Sequence, residues 1–334
     1  MAATAPLARK IRWGVLGTAR IARLSVIPAI LRAANSELAA LASRDPARLA
    51  EARRQFAFPR GYTDYAALLR DPEIDAVYLP LPNTLHCEWA IRAAEHGKHI
   101  LCEKPLGLNA AECRAMIAAA AHHGVRLMEG FMYRYTDRTA QVRAVLRSGV
   151  LGEIRFVNAS FRYPMTNPDS IKLKPELGGG SLYDVGCYPV NLIGLIADEM
   201  AGRPDSGSVQ PESVAAECVR QGGVDVAFSA LLKYPSGLLA TAHSSFTSQK
   251  RIYAEIFGSQ GLLEIPDTYF DHPGVLTLTV GEERRELPVA ASDRYRLEVE
   301  DFADAILQRR APQFGLAETL RNAEVLDRLF AAAK

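Results

Sequence analysis

Ile11-Arg12-Trp13-Gly14-Val15-Leu16 is a short apolar strand that runs without a break into Gly17-Thr18-Ala19-Arg20-Ile21-Ala22. No other stretch limits the fold as tightly. A strand that turns at once into a helix needs a residue without a Cβ at the turn, and Gly17 supplies it. Ala19 is small enough for backbone to approach a pyrophosphate, and Ala22 is small enough for the helix to pack on the strand. Gly17, Thr18, Ala19, Arg20 and Ile21 are therefore the expected phosphate-binding turn. A second buried strand over 38–42 ends in Ser43-Arg44-Asp45-Pro46. There Asp45 can cap a helix that Pro46 opens. This completes a βαβ unit. An acidic side chain at the end of its second strand takes the ribose hydroxyls of NAD, whereas an Arg there accommodates the 2′-phosphate of NADP. Ser43 and Arg44 hold that end and Asp45 stands one position late, so the pattern favours NADP, with NAD possible. Arg44 could also lie on an adenine face without choosing between the two.

The alternation continues with a helix around 65–69 and a strand over 76–79 that stops at Pro80-Leu81-Pro82-Asn83-Thr84-Leu85-His86. Leu79, Pro80 and Asn83 border the expected cofactor site, and Asn83 or Thr84 caps the next helix. His86 falls in that helix's first turn, where a charged imidazole would oppose the dipole. It reads as a neutral structural histidine at the edge of the cofactor site. The strand over 99–101 then ends in Cys102-Glu103-Lys104-Pro105. An unpaired ion in the interior costs several kcal/mol, so Glu103 and Lys104 belong at the strand's carboxyl end, where open parallel sheets bind ligands. A solvated surface turn is the other reading. Pro105 keeps Lys104 out of helical dihedrals and admits a cis bond. Asn109 caps a helix to about His123, and 126–129 is the last strand of this half.

The second half changes character. A helix over 138–148 ends at Gly149, and a strand over 153–163 carries Phe161, Arg162 and Tyr163. Phe161 and Tyr163 are candidate substrate-wall residues, although half-buried strands normally show such aromatics. Gly178-Gly179-Gly180-Ser181 then opens a helix to about Leu195, with Ser181 as its expected cap. Asp184 and Tyr188 are four apart and share one face, either as a surface pair or as a carboxylate beside a phenol in a site. Strand-like segments at 213–220, 224–234, 238–245, 252–257 and 262–265 follow without intervening helices, which implies antiparallel pairing. Helices over 295–308 and 317–332 close the chain.

Strand-Gly17-x-Ala19-x-x-Ala22, then Pro82-Asn83-x-x-His86, then Glu103-Lys104-Pro105, in this order, resembles the glucose-fructose oxidoreductase/inositol dehydrogenase (Gfo/Idh/MocA) family. Gly178-Gly179-Gly180-x-x-x-Asp184-x-Gly186-x-Tyr188 resembles its second signature, in the branch with Tyr at the last position that holds aldose and dihydrodiol dehydrogenases and 3-ketosugar reductases. Phe131-Met132-Tyr133-Arg134-Tyr135 resembles its aromatic-basic link, although Thr136-Asp137 stands where His-Pro is common, which opens the role of Arg134. The resemblance implies an α/β chain. An N-terminal Rossmann domain over 1–130 binds the cofactor. A C-terminal α+β domain over 131–334 with a large, mostly antiparallel open sheet binds substrate, with room for its last helices to pack back on the first domain. Lys104 would reach toward nicotinamide and substrate.

The expected chemistry is hydride transfer between NADP(H) and a hydroxyl or carbonyl carbon of a sugar or cyclic diol, with a 3-keto- or deoxy-sugar reductase as the alternative. A non-catalytic NADP-sensing regulator would share the fold. Tyr188 is assigned as proton donor or acceptor, with the Lys104 ammonium favouring its ionisation. Asp184 binds a substrate hydroxyl or holds Lys104, and Glu103 serves neighbouring backbone or a cation. Arg134 and Tyr183 are further substrate candidates.

Composition narrows the partners. The 334 residues carry 39 Lys and Arg against 38 Asp and Glu, so no overall field draws nucleic acid or an anionic membrane. Five cysteines without a C-x-x-C pair argue against a disulfide framework or a zinc site and for a reduced cytoplasm. No apolar run of about 18 residues spans a membrane, and Met1 to Lys10, with its basic residues after rather than before any apolar run, does not read as a secretory signal. A large sheet with helices on one face only leaves the other to be covered, which predicts a homodimer or a dimer of dimers through that face.

Overall fold

The computed structural model describes residues 9–333, and the alternation of the first half folds there as one parallel sheet. The stretch 1–8, part of the segment that does not read as a secretory signal, lies outside those residues. Strands β1 (Ile11–Leu16), β2 (Ser36–Ala42), β3 (Arg60–Tyr62), β4 (Ala76–Leu79), β5 (His99–Glu103) and β6 (Leu127–Gly130) lie in the order β3-β2-β1-β4-β5-β6. The connecting helices are α1 (Ile27–Arg32), α2 (Pro46–Gln55), α3 (Tyr65–Leu69), α4 (His86–Glu95) and α5 (Ala110–His122). Strand order reverses between β1 and β4, and the crevice at such a switch point is where open α/β sheets bind ligands. The starts of α2 and α5 are among those fixed by side chains: Asp45 Oδ1 accepts from Ala47 N at 2.9 Å, and Asn109 Oδ1 accepts from Glu112 N at 2.9 Å. Each such cap contributes about 1 kcal/mol.

The second sheet has eight strands: β7 (Ile154–Arg162), β8 (Ser213–Gln221), β9 (Val224–Lys233), β10 (Leu239–Ser245), β11 (Arg251–Gly258), β12 (Gly261–Pro266), β13 (Gly274–Val280) and β14 (Glu283–Val289). Their order is β14-β13-β12-β11-β7-β10-β9-β8, antiparallel except for the parallel pair β7/β10. Helices α6 (Asp137–Ser148) and α7 (Cys187–Met200) precede and follow β7. The closing helices α8 (Arg294–Leu307) and α9 (Leu316–Ala332) return to the first sheet's helices. Asn35 Nδ2 donates to the Glu300 carbonyl at 2.9 Å, and Ala110 N donates to Asp327 Oδ2 at 2.9 Å. Among the described residues no helix is long and apolar enough to cross a membrane.

Three local expectations change. Neither Asn83 nor Thr84 caps α4, because a 3₁₀ turn, Asn83–Leu85, runs straight into it and Asn83 Nδ2 donates to the Gly178 carbonyl. Ser181 does not cap: its backbone is already helical, and its hydroxyl bonds Asp225 Oδ2 at 2.7 Å and Ser244 Oγ at 2.9 Å. The helix opens instead with a wide π-helical turn, Leu182–Gly186, which carries Asp184. The hairpin β13/β14 has no counterpart in the sequence reading. Its edge strand is Glu-Arg-Arg-Glu-Leu-Pro-Val, and charges and a proline are what an exposed edge tolerates while they hide the strand pattern.

Candidate active site

At the end of β1, Gly17 takes φ +108° and donates its N–H to the Ala42 carbonyl at 2.8 Å. A side chain there would be strained, so the turn can be this tight only with glycine. The turn and the helix start behind it line one side of a cavity of about 600 Å³ through Ala19, Arg20 and Ile21. Half-buried Ala19 on the cavity wall is small enough for main chain to meet a pyrophosphate, so the turn that Gly17 permits fits a dinucleotide. Thr18 belongs to the same turn. At the end of β2 the Ser43 hydroxyl donates to the Asp45 carbonyl at 3.1 Å, so Ser43 shapes the turn from a buried position. Asp45 is occupied by its cap. Arg44 is left exposed with its guanidinium 5.6 Å from the centre of the Tyr65 ring, and the Tyr65 hydroxyl stands against Gly17. That platform is cationic, flat and beside the phosphate turn.

From β4, Pro80 and Asn83 line the cavity while Leu79 is fully buried beneath it. His86 does not line it. Its ring is fully buried, with Nδ1 2.9 Å from the Pro105 carbonyl and Nε2 2.9 Å from the Leu81 carbonyl. It braces the ends of β4 and β5 against each other, and burial pushes its pKa below the usual imidazole range.

Lys104 leaves the end of β5 across a cis bond to Pro105 and meets the π-helical turn. Its Nζ donates to the Asp184 carbonyl oxygen at 2.6 Å and stands 3.5 Å from Asp184 Oδ1. Burial pulls the Lys104 pKa down, but the charges of Asp184 and Glu103 outweigh it and hold the group as an ammonium, above its ordinary value. Burial likewise pushes the Asp184 carboxyl up, and Lys104 and Lys172 more than offset this, so it stays below the usual carboxylate range. Asp184 Oδ2 accepts from Lys172 Nζ at 2.8 Å and from the Tyr163 hydroxyl at 2.9 Å. Glu103 Oε1 accepts from the Tyr78 hydroxyl at 2.6 Å, and burial raises its carboxyl pKa.

Tyr188 stands on the same cavity, but not as a tyrosinate. The Lys104 ammonium lies 5.2 Å from the centre of its ring, over the face. The hydroxyl donates only a weak bond, to Met132 Sδ at 3.4 Å. Phe131, Phe161 and Tyr269 surround the ring at centroid distances of 5.3–5.4 Å. Burial among these rings pushes the phenol well above its ordinary value, so the expectation that Lys104 eases its ionisation gives way to desolvation.

Phe161 and Tyr163 line the cavity, and Phe161 stacks on Tyr269 at 5.5 Å. Tyr183 and Arg134 do not. The Tyr183 hydroxyl donates to the Leu108 carbonyl at 2.5 Å and its ring packs on Phe330. Arg134 is buried, with Nη1 on Glu318 Oε1 and Nη2 on Asp205 Oδ1, both at 2.7 Å. Lys172, Lys250, Tyr269, Phe270 and Tyr295 line the cavity without having been singled out from the sequence. Lys172 lies in a segment broken by Pro164, Pro168 and Pro175 with no period, and the aromatics sit in loops or at a helix start, so only the fold brings them in.

Residues 11–131 match the model of an oxidoreductase family with an NAD-binding Rossmann fold, and residues 139–264 match that of the Gfo/Idh/MocA C-terminal domain. A D-xylose 1-dehydrogenase (NADP(+)) of Haloferax volcanii is 38% identical over 327 residues, covering 96% of this chain and 97% of its own. A dTDP-3,4-didehydro-2,6-dideoxy-alpha-D-glucose 3-reductase of Actinomadura kijaniata is 33% identical over 98% of this chain and 97% of its own. Among solved structures, a 3-ketoreductase of Actinomadura kijaniata in complex with NADP and TDP-benzene superposes with a TM-score of 0.90 at 30% identity over 98% of both chains. With both halves matched in order and relatives aligned end to end, this chain belongs to the Gfo/Idh/MocA oxidoreductase family.

Proposed function

We propose that this protein is an NADP-preferring oxidoreductase that moves a hydride between the nicotinamide and a hydroxyl or carbonyl carbon of a sugar or cyclic diol. Residues 1–130 hold the cofactor and 131–334 the substrate. The observation that carries this reading is the meeting of Lys104, Asp184 and Tyr188 on the cavity that the Gly17 turn opens into. Bound NADP(H) supplies or takes up the hydride. Lys104 presents an ammonium to the sugar oxygen, and Tyr188 holds the proton that this oxygen gains on reduction. Asp184 accepts from both lysines and so keeps Lys104 in place. Phe161, Tyr163 and Tyr269 wall the sugar face and exclude water. The phenol gives its proton in reduction and regains it in oxidation, so the same site serves keto-sugar reduction and aldose oxidation.

Nicotinamide absorbance with aldoses, dihydrodiols, inositols and keto-sugars tests this, with NADP turned over faster than NAD. Arg44→Ala is expected to lower the preference for NADP about 10- to 100-fold, the worth of one charge-assisted bond to phosphate. An unchanged preference would place the Arg44–Tyr65 platform elsewhere.

Cys87, Cys102, Cys113 and Cys187 are free thiols, which supports a cytoplasmic setting. Oligomeric assembly is part of the same reading. On the second sheet, Leu231 and Leu239 are exposed at 44% and 39%, pointing away from the buried Leu232 and Ala240. A second copy laid on that face would cover them. Light scattering at micromolar concentration is expected to give the mass of two chains or more; a single-chain mass would count against it.

A further inference from the structure

Asp184 is shared between two lysines on opposite sides. Lys104 Nζ is 2.6 Å from its main-chain oxygen but 3.5 Å from Oδ1. The carboxylate leans the other way, with Oδ2 taken by Lys172 Nζ at 2.8 Å and the Tyr163 hydroxyl at 2.9 Å. Lys172 Nζ also reaches the Tyr163 oxygen at 3.2 Å, so the three groups close a ring of contacts on the cavity wall. An ammonium has three donors. With the carboxylate drawn off, Lys104 donates closely to a neutral carbonyl and only at 3.5 Å to Oδ1, which leaves its charge and a further donor to the cavity.

We propose that Lys172 is a positioning residue for the reaction: by holding Asp184 through Oδ2, it keeps the carboxylate from closing onto Lys104 and leaves the Lys104 ammonium to the substrate oxygen. This rests on the reading of Lys104 as the group that holds that oxygen.

The main chain is built to deliver Lys172. It sits on a short 3₁₀ turn, Ile171–Leu173, whose carbonyl at Lys172 accepts from Gly180 N at 2.9 Å. A Cβ on Gly179 would stand 2.6 Å from the same oxygen. The glycine run thus admits the Lys172 backbone against the start of the Asp184 turn, and Asn83 Nδ2 ties the segment to the cofactor side through the Gly178 carbonyl at 2.8 Å. None of these anchors uses the Lys172 side chain, so they survive its replacement.

The titratable groups around Asp184 are Glu103 and Lys104 from the end of β5, Tyr163 and Lys172 from the β7 side, and Cys187 and Tyr188 from its own helix. Asp225 of β9 holds Ser181 and Leu182 N at the start of the turn. Among these, Lys104 and Lys172 are the cations that keep Asp184 ionised against burial. Losing Lys172 therefore raises the pH at which Asp184 takes up a proton.

Lys172→Met is expected to lower kcat roughly 10- to 100-fold, as a small misplacement of a reacting group does. The KM for the sugar should change little. The acid limb of kcat/KM should move to higher pH by about one unit, and Lys172→Arg should restore both. Nucleotide binding followed by NADPH fluorescence confirms that the variant is folded. A Lys172→Met protein with full kcat and an unmoved acid limb overturns the proposal, as does one that loses only KM, which would make Lys172 a substrate-binding group. Lys104→Ala in the same assay separates the two claims. If it stays active, the reading of Lys104 fails; if it is inactive beside a fully active Lys172→Met, only the role of Lys172 fails.

Discussion

Lys104→Ala is expected to lower kcat/KM for keto-sugar reduction by roughly 10²- to 10³-fold, the usual loss when one preorganised donor to a developing oxyanion is removed. Tyr188→Phe should cost roughly 10²- to 10⁴-fold through loss of the proton donor. Steady-state kinetics with NADPH measures both, and NADPH fluorescence should show nucleotide affinity little changed in either variant. Lys104 is enclosed yet remains an ammonium because Asp184 and Glu103 stabilise it more than burial penalises it. Its side chain is only 13% exposed, so this charge is little screened by water and acts at short range on whatever oxygen enters the cavity. Tyr188 contributes differently: the surrounding rings leave its hydroxyl one weak thioether partner, so a sugar oxygen is a better acceptor than any the folded chain offers. Near-normal kcat/KM in both variants would remove the chemical assignment.

Arg134→Ala should act on stability instead. Arg134 and Glu318 are 3% and 0% exposed and meet at 2.7 Å, and Arg134 also pairs with Asp205. The network continues through Arg143 to Asp205 and Glu199, and through Arg321 to Asp198. Removing Arg134 leaves the fully buried Glu318 with only the longer pairing to Arg321 at 3.7 Å, a loss of up to about 3–5 kcal/mol. Thermal unfolding should therefore fall by roughly 10 °C, taking a few degrees per kcal/mol for a chain of this size. The folded fraction should keep the wild-type KM for the sugar. A raised KM with unchanged melting would return Arg134 to the substrate site, where the aromatic-basic link suggests it could belong.

Much of the site was legible because local rules place it. Gly17 has to lie at a turn, Asp45 and Asn109 have to cap, and a Glu-Lys-Pro run cannot continue a buried strand. These constraints set the ends of β1, β2 and β5 before any tertiary contact is considered. The spacing of Asp184 and Tyr188 gave one face of a helix, and the fold turned that face to Lys104. What the sequence did not show depends on distant packing. The protonation of Tyr188 is set by rings from positions 131, 161 and 269, so the local logic of a nearby lysine pointed the wrong way. Arg134 and Tyr183 look like site residues in one dimension, but their partners, Glu318 and Phe330, arrive from the last helix. Lys172 has no periodic or motif context, and only the backbone path through Gly179 brings it to Asp184.

The central claim is that Lys104 is a cation and Tyr188 a protonated donor at one substrate oxygen. Its most direct test is the pH dependence of single-turnover keto-sugar reduction by bound NADPH, in the wild-type protein and in Tyr188→Phe. A group required in its protonated form sustains the rate below its pKa, and burial has raised that of Tyr188. The wild-type rate should therefore show no loss tied to the phenol within the ordinary titration range of a tyrosine, and the loss that appears beyond that range should vanish in the slower Phe variant. An alkaline loss near neutrality, or one that persists unchanged in Tyr188→Phe, would contradict the assignment.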